Sequence, residues 1–310
     1  MQALASTTAD STPTMTLGGI VETIIWIIAA GTGSLMLALY FFQNKLVYIP
    51  GFPLDARTVF ISPEAVGLED FFEEVMIPTQ DGVKIQAYLF RHRNANEVPT
   101  ILFCHGNAGN LSYRLYNISR LFSTAYLGCN VMIISYRGYG KSEGSPSEKG
   151  LQRDAQAALD YLCSLPDIDP HKIVLFGRSL GGAVALHLAA ANEDKLAAVM
   201  VENTFTSIPD MIDVVMPWLS YFKMLCTNKW NSLQTVKDIS LPILFISGER
   251  DELVPPAMMT RLYDAAESSA KKKFLSFPQG QHMDTESQSE YYESIRAWFV
   301  ELGLLEEEED

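Results

Sequence analysis

The segment Gly177-Arg-Ser-Leu-Gly181 sets one serine between two glycines, directly after the apolar run "KIVLF" and directly before a run of small residues. A serine at the tip of a tight strand-to-helix turn presents an exposed, strained Oγ. Glycines two residues to either side relieve the crowding of such a turn. The N-terminus of the helix that follows adds positive potential for a developing oxyanion. Ser179 is therefore the candidate nucleophile. Its chemistry needs a base to take the hydroxyl proton, an acid to orient that base, and N–H donors for the oxyanion.

The chain has five histidines, of which His92, His105 and His171 precede the serine and His187 falls on the helix after it. A nucleophile on this kind of elbow is followed in the chain by its acid and then by its base. That order selects His282, in "FPQGQHMDT". The segment "GERDELVPP" offers Glu249, Asp251 and Glu252 as the acid. Asp251 fits a loop just beyond a strand, with Glu249 and Glu252 solvated and Glu202 or Asp210 as fallbacks. One oxyanion donor is the backbone N–H of Leu180. The other is expected from the small-residue loop "HGNAGN" at residues 105–110, by position the N–H of Asn107. His105 is expected to brace that loop rather than to act in the chemistry. Arg178, beside the serine, is expected to pair with a carboxylate and pin the turn. The alternative is that it raises the positive potential at an acyl-enzyme. No cofactor or metal is called for.

These residues need a scaffold. Two strands surround a turn at Gln80-Asp-Gly82, a hairpin signal. Continuous apolar runs follow at 100–104, 131–135, 172–176, 197–201, 242–247 and 272–277, most of them separated by stretches with helical spacing. Buried strands alternating with helices predict an α/β protein with a mostly parallel central sheet of about eight strands, covered on both faces. The interval between Val201 and Leu241 is longer than one crossover helix needs and is rich in apolar and aromatic residues. Residues 204–237 are expected to form a small cap over the site, lined for acyl chains. The domain is expected over 71–303, after a Pro/Gly-punctuated connector at 43–70.

Residues 1–16 are expected to be disordered and the acidic tail 304–310 to be solvated. Between them and the connector, residues 17–42 read as a transmembrane helix. Thr23 to Phe42 carries no charge for 20 residues, about the roughly 30 Å of bilayer hydrocarbon at helical rise. A cleaved signal peptide would have a basic start and a shorter apolar core. No Lys or Arg precedes the span, whereas Lys45 and Arg57 follow it, which places the large C-terminal part in the cytosol. Two sequons, at Asn110 and Asn117, favour the lumen but lie in and after the candidate oxyanion loop, a poor place for a glycan. The net charge of -14 argues against a nucleic-acid partner. Four cysteines, none in a metal-like spacing, read as buried free thiols.

The motifs "FCHGNAGN", "SYRGYGKSEGSPSE", "FGRSLGGAVA", "ENTFTSI", "SGERDELVPP" and "QGQHMDT" stand in one order along the chain. With them the sequence resembles serine hydrolases of the α/β-hydrolase superfamily. More narrowly, it is similar to the alpha/beta hydrolase domain-containing protein 13 type, the Bem-forty-six-like membrane hydrolases, over roughly residues 17–302. The resemblance implies a single-pass type II protein of an internal membrane, with the catalytic domain outside the cytosol. That opposes the Lys/Arg bias, and the side of the membrane stays open. A serine at the elbow disfavours relatives that use a carboxylate nucleophile. The expected partners are a membrane and a small lipophilic acyl substrate or a lipidated protein. The expected reaction is cleavage of an ester or thioester through an acyl-enzyme. The rival expectation is a non-catalytic binding or scaffold protein on the same fold.

Overall fold

The computed structural model describes residues 16–307. The expected disorder of residues 1–16 falls almost wholly outside this range. The chain begins with a long helix, α1 (Leu17–Val47), whose N-terminus is capped by the Thr16 hydroxyl. It runs past the predicted end at residue 42. The predicted hairpin follows as β1 (Phe72–Pro78) and β2 (Lys84–Phe90). Then come β3 (Thr100–Cys104), α2 (Leu115–Phe122), β4 (Asn130–Ile134), α3 (Glu148–Ser164), β5 (Ile173–Arg178) and α4 (Leu180–Ala191). The chain continues through β6 (Ala198–Glu202), α5 (Ile208–Val215), α6 (Ser232–Thr235), β7 (Ile243–Gly248), α7 (Pro256–Ala265), β8 (Lys272–Phe277) and α8 (Tyr291–Glu301).

One sheet holds all eight strands in the order β1-β2-β4-β3-β5-β6-β7-β8. The pairs β1/β2 and β2/β4 are antiparallel, and every other pair is parallel. Strands β3 to β7 are buried along their whole length, which is why they read as unbroken apolar runs instead of alternating ones. Each face of the sheet carries its own apolar cluster. One gathers α3, α4 and α7, the other α2 and α8. Charged side chains mark both edges: Glu73 and Glu74 on β1, Lys272 and Lys273 on β8. They discourage pairing with another chain.

The connector is packed in places: Tyr48 and Ala56 within it are buried. The tail is packed at its start, because Leu304 and Leu305 lie against the α2/α8 cluster and Arg296 donates to the Glu306 carbonyl at 3.2 Å. In the 204–237 interval, α5 and a 3-10 run at Pro217–Leu225 lie over the site. By contrast α6 packs back against α4 and α7 as part of the domain.

Candidate active site

The sheet delivers the site residues at the C-terminal ends of its parallel strands. Between β5 and α4 the backbone of Ser179 sits at φ 54, ψ -122, a region that costs a non-glycine residue of order 1–3 kcal/mol. The surroundings hold it there. The Ser179 N–H donates to the Glu202 carbonyl at 2.9 Å. Its own carbonyl accepts from the Gly182 N–H at 2.9 Å and from Thr204 Oγ1 at 2.7 Å. The flanking glycines are a steric requirement. A Cβ on Gly177 would lie 2.2 Å from the Gly181 carbonyl oxygen, and one on Gly181 would lie 1.8 Å from that of Cys104.

Asp251 lies just past β7 and His282 just past β8, and both are buried. Asp251 Oδ2 is 2.7 Å from His282 Nδ1, while Oδ1 accepts the N–H groups of Leu253 and Val254 at 2.9 and 2.8 Å. A carboxylate only accepts, so Nδ1 carries the hydrogen and Nε2 is left with its lone pair. Ser179 and His282 line the same cavity, with no hydrogen bond between them among the described residues. Such contacts commonly close only when substrate is bound. The fallback acids do not reach the imidazole: Glu202 pairs with Arg178, and Asp210 accepts from Thr206 Oγ1 at 2.5 Å.

The loop after β3 is the other half of the site. Gly106, Asn107 and Ala108 line the cavity beside Leu180. No acceptor takes up the N–H of Asn107 or of Leu180 among the described residues. The Asn107 side chain anchors the loop: Oδ1 accepts from Tyr139 Oη at 2.6 Å, and Nδ2 donates to the Val47 carbonyl at 2.5 Å. His105 is enclosed by Tyr136 and Tyr139 and donates from Nδ1 to the Gly106 carbonyl at 2.6 Å. Burial pushes its pKa down to about 3, so it stays neutral and serves the loop, as its place in the sequence suggested.

Arg178 points inward. Its guanidinium faces Glu202 at 3.3 Å and Glu286 at 3.0 Å, and donates to the His282 carbonyl at 2.5 Å. Burial alone would lower the Arg178 pKa, but the two carboxylates outweigh it and raise it. Burial raises that of Glu202, against the opposing Arg178 cation. The Glu202 carboxylate also accepts from the Tyr291 hydroxyl.

The cavity over Ser179 has a volume of about 370 Å³. Its walls are apolar side chains from three places: Met211, Ile212 and Val215 on α5, Leu219 and Phe222 on the 3-10 run, and Leu39, Leu46 and Val47 on α1. The contribution of α1 was not foreseen. Gln43 makes it possible, accepting from the Thr227 N–H at 2.6 Å and donating to the Leu225 carbonyl at 3.4 Å. Asn44 and Tyr48 add bonds to Asn228 at 2.7 and 2.9 Å. The polar pair Gln43-Asn44 directly after an uncharged span was the available signal. Asn203 was also passed over. At φ 47, it accepts from the Gly248 N–H at 2.8 Å and donates to Thr285 Oγ1 at 2.9 Å, tying the end of β7, next to Asp251, to the loop that carries His282. Both sequon asparagines are buried, and the Asn110 amide donates to the Ala56 and Val59 carbonyls. The folded domain therefore presents neither to a glycosyltransferase, and the argument they made for the lumen falls.

An eight-stranded, mostly parallel sheet with a serine elbow after β5 defines an α/β-hydrolase fold. The family model described as alpha/beta hydrolase fold matches residues 99–225. The esterase Pf2001 of Pyrococcus furiosus superposes with a TM-score of 0.65 at 19% identity, over 79% of this chain and 95% of that one. An alpha-beta hydrolase from Vibrio vulnificus does so with a TM-score of 0.66 at 20% identity, over 83% and 92%. These likenesses show the fold. The sequence comparisons narrow the class. Protein bem46 of Schizosaccharomyces pombe is 45% identical over 269 residues, covering 86% of this chain and 88% of that protein. The alpha/beta hydrolase domain-containing protein WAV2 of Arabidopsis thaliana is 41% identical over 279 residues, with the same coverage. An uncharacterized membrane protein of Saccharomyces cerevisiae is 41% identical over 269 residues, covering 86% and 92%. The chain belongs to the bem46-like family of α/β-hydrolase proteins.

Proposed function

We propose that the protein is a membrane-anchored serine hydrolase that cleaves an ester or thioester of a lipophilic acyl group. The observation that carries this reading is the Asp251–His282 pair, 2.7 Å apart, in one apolar cavity with a serine held at a strained elbow. His282 Nε2 takes the Ser179 proton as Oγ attacks the acyl carbonyl. The N–H groups of Asn107 and Leu180 receive the oxyanion. The alcohol or thiol leaves with the proton from His282, and water, activated by the same imidazole, releases the acid from Ser179. Asp251 holds the imidazole in the required tautomer and stabilises its cation.

The anchor is α1. Its 31 residues span about 46 Å at 1.5 Å per residue, and the apolar window within it is exposed throughout. Trp26 and Phe41 there are 68% and 71% exposed, a surface suited to hydrocarbon and not to water. Trp218, Tyr221 and Met224, also exposed, lie on the 3-10 run that rests against α1, where aromatic side chains favour a membrane interface. The acyl specificity follows from the cavity walls.

Labelling with a fluorophosphonate tests the chemistry. An adduct is expected on the wild-type chain and none on Ser179→Ala. No wild-type adduct, or an undiminished one on the variant, sinks the reading. A series of p-nitrophenyl esters and acyl thioesters of rising chain length then reads the preference of the cavity.

A further inference from the structure

Two arginines line the cavity, Arg114 and Arg178, and they are treated differently. Every nitrogen of the Arg178 guanidinium has a partner: Nε and Nη1 face Glu202 and Glu286, and Nη2 bonds the His282 carbonyl. Arg114, at the end of the short turn Leu111–Arg114, makes no side-chain hydrogen bond or ion pair among the described residues. Its Nε is buried and unpartnered. Burial and the nearby Arg178 cation push its pKa down to about 10, against the pull of Glu286 and Glu202 acting through space. It remains a cation at neutral pH. The side chain as a whole is half-buried, but a cationic N–H shut off from water without a partner is costly, and native interiors seldom leave one so. A guanidinium offers a planar fork of donors that matches phosphate and carboxylate. Most of the remaining wall is apolar, and Lys223, which also lines it, is already paired with Asp213 at 2.7 Å.

We propose that Arg114 is the anion-binding residue of the cavity, and that the substrate is an acyl ester whose lipophilic body carries a phosphate or carboxylate group. The proposal rests on the serine-hydrolase reading above for its chemistry. Water adds across the acyl bond, the carboxylic acid is released, and the anion leaves with the alcohol. The fork would fix which end of the amphiphile enters first, with the chain along α1 and α5 and the charge at Arg114. Neutral esters of the same length would leave the guanidinium unpaired and be disfavoured.

The test uses the full chain in detergent micelles, with lauroylglycerol and lauroylglycerol 3-phosphate as matched substrates. The wild type is expected to favour the phosphate-bearing ester by about tenfold or more in kcat/KM, the scale of one charge-assisted contact. The ratio is expected to fall toward one in Arg114→Met and to be partly kept in Arg114→Lys. Equal use of both esters by the wild type, or a ratio that survives Arg114→Met, overturns the proposal. A second readout needs no turnover: dodecyl phosphate should raise the melting temperature more than dodecanol in the wild type, and not in Arg114→Met. If inorganic phosphate alone gives the full shift, the ligand is a free anion and the lipophilic part of the proposal is wrong. Ser179 labelling reports separately on the hydrolase reading, so each idea can fail without the other.

Discussion

The guanidinium of Arg178, one residue before Ser179, donates to the backbone carbonyl of His282 at 2.5 Å. A single side chain thus spans the β5 elbow and the loop after β8. It also holds Glu202 at the end of β6 and Glu286 beyond the base. Arg178 pairs with carboxylates, as the first of the two readings of its place beside the serine expected; a positioning role for it is the prediction tested next.

Arg178→Gln removes the cation that compensates a fully buried carboxylate. The expected loss of stability is about 3–5 kcal/mol, the cost of breaking one side of a buried pair. Urea unfolding measures it. Activity should fall in kcat with KM little changed, because the His282 loop loses its register and the acyl wall does not. Normal stability with normal kcat would remove Arg178 from the account.

Asp251→Asn should leave the fold intact and lower kcat by about 10⁴, because an amide no longer enforces the Nδ1–H tautomer. Ser179→Ala should lower it by about 10⁶. Steady-state hydrolysis of a p-nitrophenyl ester, with melting curves as the control for folding, checks both.

The elbow glycines and the anchor glycines should answer alanine in opposite ways. In Gly181→Ala the new Cβ would lie 1.8 Å from the Cys104 carbonyl oxygen, rigid backbone at the centre of the sheet. The elbow must shift, at a cost above about 3 kcal/mol. In Gly31→Ala nothing lies within 4 Å, and α1 should gain helix propensity. Thermal melts of the two variants separate the cases.

Acid should weaken the domain through buried His105 and the half-buried His92 and His187. Burial lowers the His105 pKa from 6.5 to about 3, and the pKa values of His92 and His187 fall for the same reason. Below pH 6.5 the unfolded chain takes up protons that the folded chain refuses. Stability is therefore fully present above 6.5 and declines as the pH falls toward 3. At about 1.4 kcal/mol per unit, the His105 share approaches roughly 4 kcal/mol by pH 3. Melting temperature against pH should slope less steeply between pH 6 and 4 in His105→Gln, and an unchanged slope would count against this assignment.

Leu46→Trp should fill part of the cavity from the α1 side and move the preferred acyl chain toward shorter lengths, with little change in Ser179 labelling. The chain-length series measures it. A preference that stays put would mean the acyl chain avoids this wall.

The fold was legible because the central strands are buried on both faces and so form unbroken apolar runs, ended by the glycine-rich turns that carry the motifs. The Asp251–His282 pair was legible from chain order, since the topology brings the ends of β7 and β8 side by side. Other parts were not. Asn203 acts through its side-chain amide across three loops, and nothing local marks it. Arg114 sits in a turn where an arginine is ordinarily a surface residue, and only the cavity reveals its missing partner. The start of the tail was misjudged because the acidic run that follows hides two leucines that fit the α2/α8 cluster. The role of α1 was hidden because an apolar helix long enough for a bilayer already has a sufficient reason to be apolar.

That last point changes what it means to cut the chain. A leash can be lengthened, exchanged or severed without altering the thing it restrains. Here Leu39, Leu46 and Val47 belong to the vessel, and the Gln43 and Asn44 bonds are its seams. Proteolysis between Phe42 and Tyr48 would release a domain whose Asp251–His282 pair survives but whose binding chamber stands open along one flank. Such a fragment would offer ligands a different chamber, and would not be the same domain set free.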